Sequence, residues 1–312
     1  MGIQVLPAGA PRERWLAARR QGITATDVVK IVGLSPHGNA LDVYLDKRLG
    51  EQDWNPGEAA QWGLALEDMV ARRWAAERGC RVRRVGLMRK QGPRFAHHLA
   101  SLDRVVVGER APLEVKTRNV FADDFTGGVP ERVAVQVQWQ LHVSGADHAH
   151  VAALIGGQEL VEHTVDRDQT LIDYLVGEAD RVWEAVRHGE PPEVPAWAMT
   201  VASLNRLHPD RAGVADLDPA VAAPLLEQYR AAASQEKAAK AAKDSARVQL
   251  LALIGDREEA HIGSQPAFTY RAHTKTEITA EAARRLLTEH PDLATYATTT
   301  TSRRFTPARQ KD

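Results

Sequence analysis

The stretch SLDRVVVGERAPLEVKT, residues 101–117, constrains the fold more than any other part of this 312-residue chain. It reads as the core of two strands, 99–107 and 111–118, separated by GERA as in a β-hairpin. Side chains alternate along a strand, so Glu114 and Lys116 project together while Leu113, Val115 and Thr117 face away into a core. Asp103 lies on the preceding strand, where cross-strand pairing brings its carboxylate toward that of Glu114. Two carboxylates and an ammonium then converge. Hard oxygen ligands with room for water suit Mg²⁺, and Lys116 can orient water and offset charge on a phosphorane-like transition state. The same residue types also describe a solvated hairpin face with a weak ion pair, and the hairpin alone leaves both readings open.

The surrounding elements narrow the architecture. Pro11 precedes a short helix ending near Gly22, a second starts around TATD and stops at Gly33, and Asn39 caps a third that ends at Gly50. EAAQWGLALEDMVARRWAAERG is a longer amphipathic helix with Trp62, Leu66, Met69 and Val70 on one side and Gly79 closing it. Strand-like runs follow at 81–90, 99–107 and 111–118. A helix from Pro130 to Gly145 comes next, then HAHVAALI and ELVEHTV joined by GGQ, then a long helix over 168–188. The order α, β-meander, α, ββ, α predicts an α/β layout. The proline-rich HGEPPEVPAW marks the end of a first domain, 1–198, followed by a linker, 199–216. Residues 217–312 hold a helical segment over 217–254 and a small α/β appendage.

A formal net charge of −1 means that any nucleic-acid contact comes from local clusters of Arg and Lys rather than bulk basicity. The single cysteine, Cys80, excludes an internal disulfide framework and a four-cysteine metal site. With no apolar run of membrane-span length and no signal-peptide pattern, a cytoplasmic location without membrane contact is expected. No GxxxxGK[ST] phosphate loop is present, so no ATP-driven motor is expected in this chain. His97, His98, His142, His148 and His150 match no zinc spacing, adjacent histidines on a strand face opposite ways, and surface positions are expected for all five. Trp15, Trp62, Trp74, Trp139 and Trp183 fall on helices, where core packing is the default. In GLSPH, Ser35 caps or contacts DNA.

Four motifs in order carry a resemblance: WLAARRQGITATD, the WGxxxE helix ending in Glu67, the LD and LEVK hairpin, and AVQVQWQLHVSG. Together, over roughly residues 12–165, the chain resembles the phage-type 5′-to-3′ exonuclease family, called YqaJ or lambda-exonuclease-like, within the PD-(D/E)xK superfamily. The resemblance implies a restriction-endonuclease-like α/β core, a central mixed sheet flanked by helices, here with a helical C-terminal extension. It implies metal-dependent digestion of one strand of linear double-stranded DNA to 5′-mononucleotides, leaving a 3′ overhang for recombination by strand annealing. Asp103, Glu114, the Val115 carbonyl and Glu67 look like the Mg²⁺ (or Mn²⁺) ligands, and Lys116 like the catalytic lysine. Gln136 matches a site-facing glutamine, with Gln140 one turn later and Gln138 open. Arg19, Thr24 and Thr26 match positions that hold a terminal 5′-phosphate, as a guanidinium and helix-start donors can.

Two local readings accompany these roles. Gly63, one turn before Glu67, leaves space for a ligand beside the sheet. Arg104 stands where a glycine often follows the aspartate and is a candidate DNA-backbone contact, while Val133 replaces a frequent tyrosine. The family's habits imply DNA ends, a single-strand annealing protein and a homo-oligomeric ring as partners. The long helix, and Arg303, Arg304 and Arg309, are available for assembly, docking or DNA contact. The alternatives are an endonuclease or nuclease subunit of a helicase complex, and a non-catalytic DNA-binding module.

Overall fold

The computed structural model describes residues 2–50, 57–119, 125, 127–195, 198–210, 212–297 and 305–307. Arg303, Arg304 and Arg309 lie outside the described residues. The chain divides into two compact units, Met1–Arg211 and Ala212–Asp312.

In the first unit, helices α1 (Arg12–Arg19), α2 (Ala25–Ile31) and α3 (Ala40–Leu49) form where the caps place them. The Asn39 side chain accepts from the Leu41 and Asp42 N–H groups at 2.8 and 3.3 Å. The Asp42 carboxylate in turn accepts from the Asn39 N–H at 2.9 Å, a reciprocal cap. Helix α4 (Glu58–Glu77) packs Val70, Ala71, Trp74 and Ala75 on sheet residues Val106, Leu113, Val115 and Ala152. Only its second half is buried. Trp62 and Met69, expected on the packed side, are 58% and 64% exposed, because the apolar sheet residues lie under the later turns alone.

The three expected strand runs are divided differently. Both 81–90 and 99–107 break in two: β2 (Val82–Arg83) and β3 (Gly86–Arg89), then β4 (Leu99–Leu102) and β5 (Arg104–Val106). Strand β3 pairs with β4, and β2 with β5, so one antiparallel ribbon bends and feeds two sheets. The smaller sheet, in the order β1-β3-β4, includes β1 (Ile3–Leu6). With β6 (Pro112–Arg118), β7 (His148–Ile155) and β8 (Glu159–Asp166), the larger runs β2-β5-β6-β7-β8. Its β6–β7 pair is parallel and the others are antiparallel, and α5 (Glu131–Ser144) makes the crossover. Leu113, Val115 and Ala152 meet α4 on one face, while Val151 and Ala153 meet Val133, Val137 and Leu141 of α5 on the other. This is the expected α/β class, a central mixed sheet flanked by helices.

Trp139, fully buried, fixes α5 to the smaller sheet by donating from Nε1 to the Leu99 carbonyl at 2.9 Å. Helix α6 (Gln169–His188) covers the same core and is capped by Asp168, which accepts from the Leu171 N–H at 3.0 Å. Residues read as linker contain α7 (Val201–Leu207), which docks on α3: Ser203 donates to Asp42, and Arg206 pairs with Asp46 at 2.8 Å. The second unit has the 36-residue α8 (Pro219–Ile254), a hairpin of β9 (Glu259–Ile262) and β10 (Gln265–Thr269), and α9 (Ala280–Glu289).

At the ribbon's bend, Gly86 has φ +91°, and a Cβ there would lie 2.4 Å from the Leu6 carbonyl oxygen. Both the backbone conformation and the space exclude a side chain. Gly86→Ala is therefore expected to destabilise the fold by about 2 kcal/mol or more, read from the urea midpoint.

Candidate active site

Asp103 sits at the bend between β4 and β5, outside both strands. Its Oδ2 accepts the Val115 N–H at 2.9 Å, which ties the bend to β6. On β6, alternation puts Glu114 and Lys116 on the α5 face. Glu114 is 2% exposed, and each of its oxygens is held. Oε1 accepts from Lys116 Nζ at 2.5 Å and from Gln136 Nε2, while Oε2 accepts from Gln140 Nε2 at 2.6 Å. Lys116 Nζ also donates to Gln136 Oε1 at 3.0 Å. Gln136 and Gln140 are one turn apart and share a face of α5. Gln138 is on another side, donating to the Asp166 carbonyl at 2.7 Å and accepting from the Asp168 N–H at 3.0 Å. It fastens α5 to the β8–α6 junction and takes no part in the cluster.

Glu67 reaches the site through a residue that sequence reading misassigned. Arg104, expected at the DNA backbone, is 2% exposed. Its guanidinium donates to Glu67 Oε1 at 2.5 Å, to Asp68 Oδ1 at 2.8 Å and to the Asp103 carbonyl at 2.6 Å. Arg104 opens β5 and pairs with Leu113, whose side chain packs with α4, so the arginine faces α4 as well. The Arg104 bond, with Arg72 adding to it, holds the Asp68 carboxyl below its ordinary range. The space expected beside Gly63 is filled: a Cβ there would lie 3.3 Å from Thr117 Oγ1, so the glycine lets helix and strand approach.

Burial, and then the neighbouring Glu114 and Glu67 carboxylates, push the Asp103 carboxyl well above its ordinary range, although Lys116 and the Val115 N–H oppose this. Crowded buried carboxylates need a proton or a cation. Their hard oxygens suit a divalent ion such as Mg²⁺, with Asp103 and Glu114 as the donors that fit.

Arg19, Thr24 and Thr26 come together. The Arg19 guanidinium lies 4.4 Å over the Trp15 ring and donates to Thr26 Oγ1 at 3.3 Å, and the Thr24 and Thr26 hydroxyls are 3.2 Å apart. Thr24, 1% exposed, spends its hydroxyl on Asp27 Oδ2 at 2.7 Å. Burial alone would raise the Asp27 carboxyl. Lys47, at 2.6 Å, and Arg19 overcome that and hold it well below the ordinary range. Thr26 is thus the exposed part of the cluster, with the Arg19 side chain 12% exposed beside it and Thr24 behind them. Ser35 accepts from the His37 N–H at 3.1 Å, a turn-capping bond.

The histidines are not surface residues as a group: His98, His142 and His150 are 0%, 5% and 4% exposed. His97 and His98 precede β4 in a turn rather than alternating along a strand, so both rings reach Asp180 Oδ1, at 2.7 and 2.8 Å. His98 Nδ1 also meets His142 Nε2 at 2.9 Å. Trp74 and Trp139 are core residues, whereas Trp62 is not.

Residues 14–147 match the family model of the YqaJ-like viral recombinase domain. The matched span holds Arg19, Thr24, Thr26, Glu67, Asp103, Glu114, Lys116 and Gln136. A protein of Bacillus subtilis (strain 168), described as uncharacterized protein YqaJ, is 35% identical over 188 residues. That alignment covers 58% of this chain and 58% of the relative's own length. The resemblance drawn from the motifs is therefore borne out over this region. Among solved structures, an alkaline exonuclease (LHK-Exo) from Laribacter hongkongensis is 23% identical with TM-score 0.47, over 57% of this chain and 93% of that one. A phage-related exonuclease from Haemophilus somnus 129PT is 13% identical with TM-score 0.44, over 54% and 94%. Among the described residues, no helix is long and apolar enough to cross a membrane.

Burial pushes His98 down to about 4, despite its bond to Asp180, and His142 down to about 3. Both are neutral when folded, whereas an unfolded histidine titrates near 6.5. Their contribution is complete above about pH 6.5 and is lost as pH falls toward 4. We expect stability in urea to drop between pH 6.5 and 5 by roughly 2 kcal/mol per histidine, with a shallower fall in His142→Gln.

Proposed function

We propose that the chain is a metal-dependent 5′-to-3′ exonuclease that degrades one strand of linear double-stranded DNA. The observation that carries this reading is the convergence of Asp103, Glu114 and Lys116 in one part-buried cluster, with Glu67 drawn in by Arg104. In this reading Asp103 and Glu114, with the Val115 carbonyl, hold a Mg²⁺ or Mn²⁺ ion. When bound, that ion polarises the scissile phosphate and lowers the pKa of a water.

The chain's own groups do the rest. Lys116, held between Glu114 Oε1 and Gln136 Oε1, orients the attacking water and offsets negative charge growing on the phosphate. Gln136 and Gln140 hold the two Glu114 oxygens through neutral donors and so aim the carboxylate, with Lys116 as the one charged donor, on Oε1. Glu67, oriented by Arg104, completes the acidic wall. Hydrolysis proceeds without a covalent intermediate and releases 5′-mononucleotides.

Arg19 and Thr26 are the groups to hold the 5′-phosphate of the strand being degraded, since a guanidinium and a hydroxyl suit that anion. Thr24 lies beside Ile23, which bridges to His98 at the start of β4, and β4 runs about 13 Å to Asp103. That path supports a fixed spacing between terminal phosphate and reacting bond. The 3′ overhang would then pass to a single-strand annealing protein, with the chain acting as a homo-oligomer around the duplex.

The test is digestion of linear duplex carrying 5′-phosphate or 5′-hydroxyl ends, with Mg²⁺ or EDTA. We expect metal-dependent loss of one strand from phosphorylated ends, and a rate about 10²–10⁴-fold lower in Lys116→Ala. Arg19→Ala should narrow the gap between the two end types. Cutting of covalently closed circles would favour an endonuclease, and full activity in Lys116→Ala would remove the assignment.

A further inference from the structure

We propose that Glu109, His148 and His150 form a second metal site, one for a zinc-class divalent cation, separate from the nuclease cluster. His148 and His150 are two residues apart on β7 and so share a side of the strand. The β5–β6 turn brings Glu109 over them: its Oε1 lies 2.6 Å from His148 Nε2 and 3.0 Å from His150 Nε2. One ligand atom from each of the three residues falls within 4.8 Å of the others. Two imidazoles and one carboxylate, with a fourth position for water, are a donor set that zinc accepts and that magnesium disfavours.

The supporting shell is present. His150 is 4% exposed, its ring lies 5.1 Å from Trp74, and its Nδ1 is 3.3 Å from Thr164 Oγ1 on the paired strand β8. With Nδ1 turned to that hydroxyl, Nε2 is left aimed at the carboxylate, the arrangement that orients a metal-bound imidazole. The Glu109 and His148 side chains are 39% and 31% exposed, which gives an ion a way in and a place for its water. Tetrahedral ligands around zinc stand roughly 3.3 Å apart, so accommodating the ion moves Glu109 outward by less than about 1 Å. The turn carrying Glu109 has an unusual backbone: Arg110, at φ +62°, is the one positive-φ residue other than glycine among the described residues. Backbone strain of this kind is often held at ligand sites.

The site lies apart from the reacting groups. His150 pairs with Leu113 at the start of β6, and its Trp74 contact places it on the α4 side of the sheet. Glu114 and Lys116 face α5 on the other side. An ion here fastens the β5–β6 turn to β7, bracing β5, which follows the Asp103 bend, and β6, which carries Glu114. Because only the folded chain gathers these three ligands, zinc should raise its melting temperature.

The experiment is calorimetric titration of chelator-treated protein with Zn²⁺ in excess Mg²⁺, followed by Co²⁺ substitution to look for the visible absorption of a tetrahedral site. We expect one zinc per chain, retained in Asp103→Asn and weakened more than about 100-fold in both His148→Ala and Glu109→Gln. Zinc at 100 times its dissociation constant should raise the melting temperature by about 5 °C. Both variants replace partly exposed side chains, and circular dichroism checks that each folds. No zinc uptake by the wild type, unchanged affinity in the two variants, or a site lost instead with His97→Ala would each overturn the proposal.

Discussion

One hydrogen bond, from the Val115 N–H to Asp103 Oδ2 at 2.9 Å, organises the candidate active site. It spans the place where the ribbon leaves one sheet for the other and fixes the bend against the strand that bears Glu114 and Lys116. Without it, Asp103 would be a turn residue with no reason to face the cluster. With it, three carboxylates crowd a buried volume, and burying one uncompensated carboxylate costs several kcal/mol. The upward shift of the Asp103 carboxyl expresses that cost. Lys116 and Arg104 offset part of it, one from each face of the strand pair.

The rest of the first unit serves this arrangement. Helix α4 buries only its later turns, which leaves Glu67 where Arg104 can hold it. Helix α5 presents two neutral glutamines to Glu114 on one face, and on others anchors itself by Trp139 to β4 and by Gln138 to the β8–α6 junction. Neutral donors satisfy a buried carboxylate's lone pairs without cancelling the charge that a cation needs. The hydrogen-bonded chain His97–Asp180–His98–His142, buried at His98 and His142, joins the approach to β4 to α6 and α5, close to the segment carrying Thr24.

Much of this was legible in the sequence, because local signals and tertiary structure agree there. Asn39 announced α3, Gly145 ended α5 with a left-handed φ of +75°, and the alternation of LEVK assigned Glu114 and Lys116 to one face. Gln136 followed from the family resemblance, and Gln140 lies one helical turn later on the same face. What escaped depends on contacts distant in sequence. The ribbon's division at Asp103 has no local marker on that strand. Strand β1 is four residues with a single buried side chain, too short to show a period. Arg104 looked solvated because its partners, Glu67 and Asp68, lie more than thirty residues earlier. The histidines looked superficial for the same reason, since Asp180 is over eighty residues from His98.

The most direct measurement is a crystal structure of the protein grown with Mn²⁺ and recorded at the manganese absorption edge. The account predicts an anomalous peak about 2.2 Å from carboxylate oxygens of both Asp103 and Glu114, with Lys116 still beside Glu114. Manganese seen only at other acidic groups, or Asp103 and Glu114 directed to opposite faces of the sheet, would contradict it.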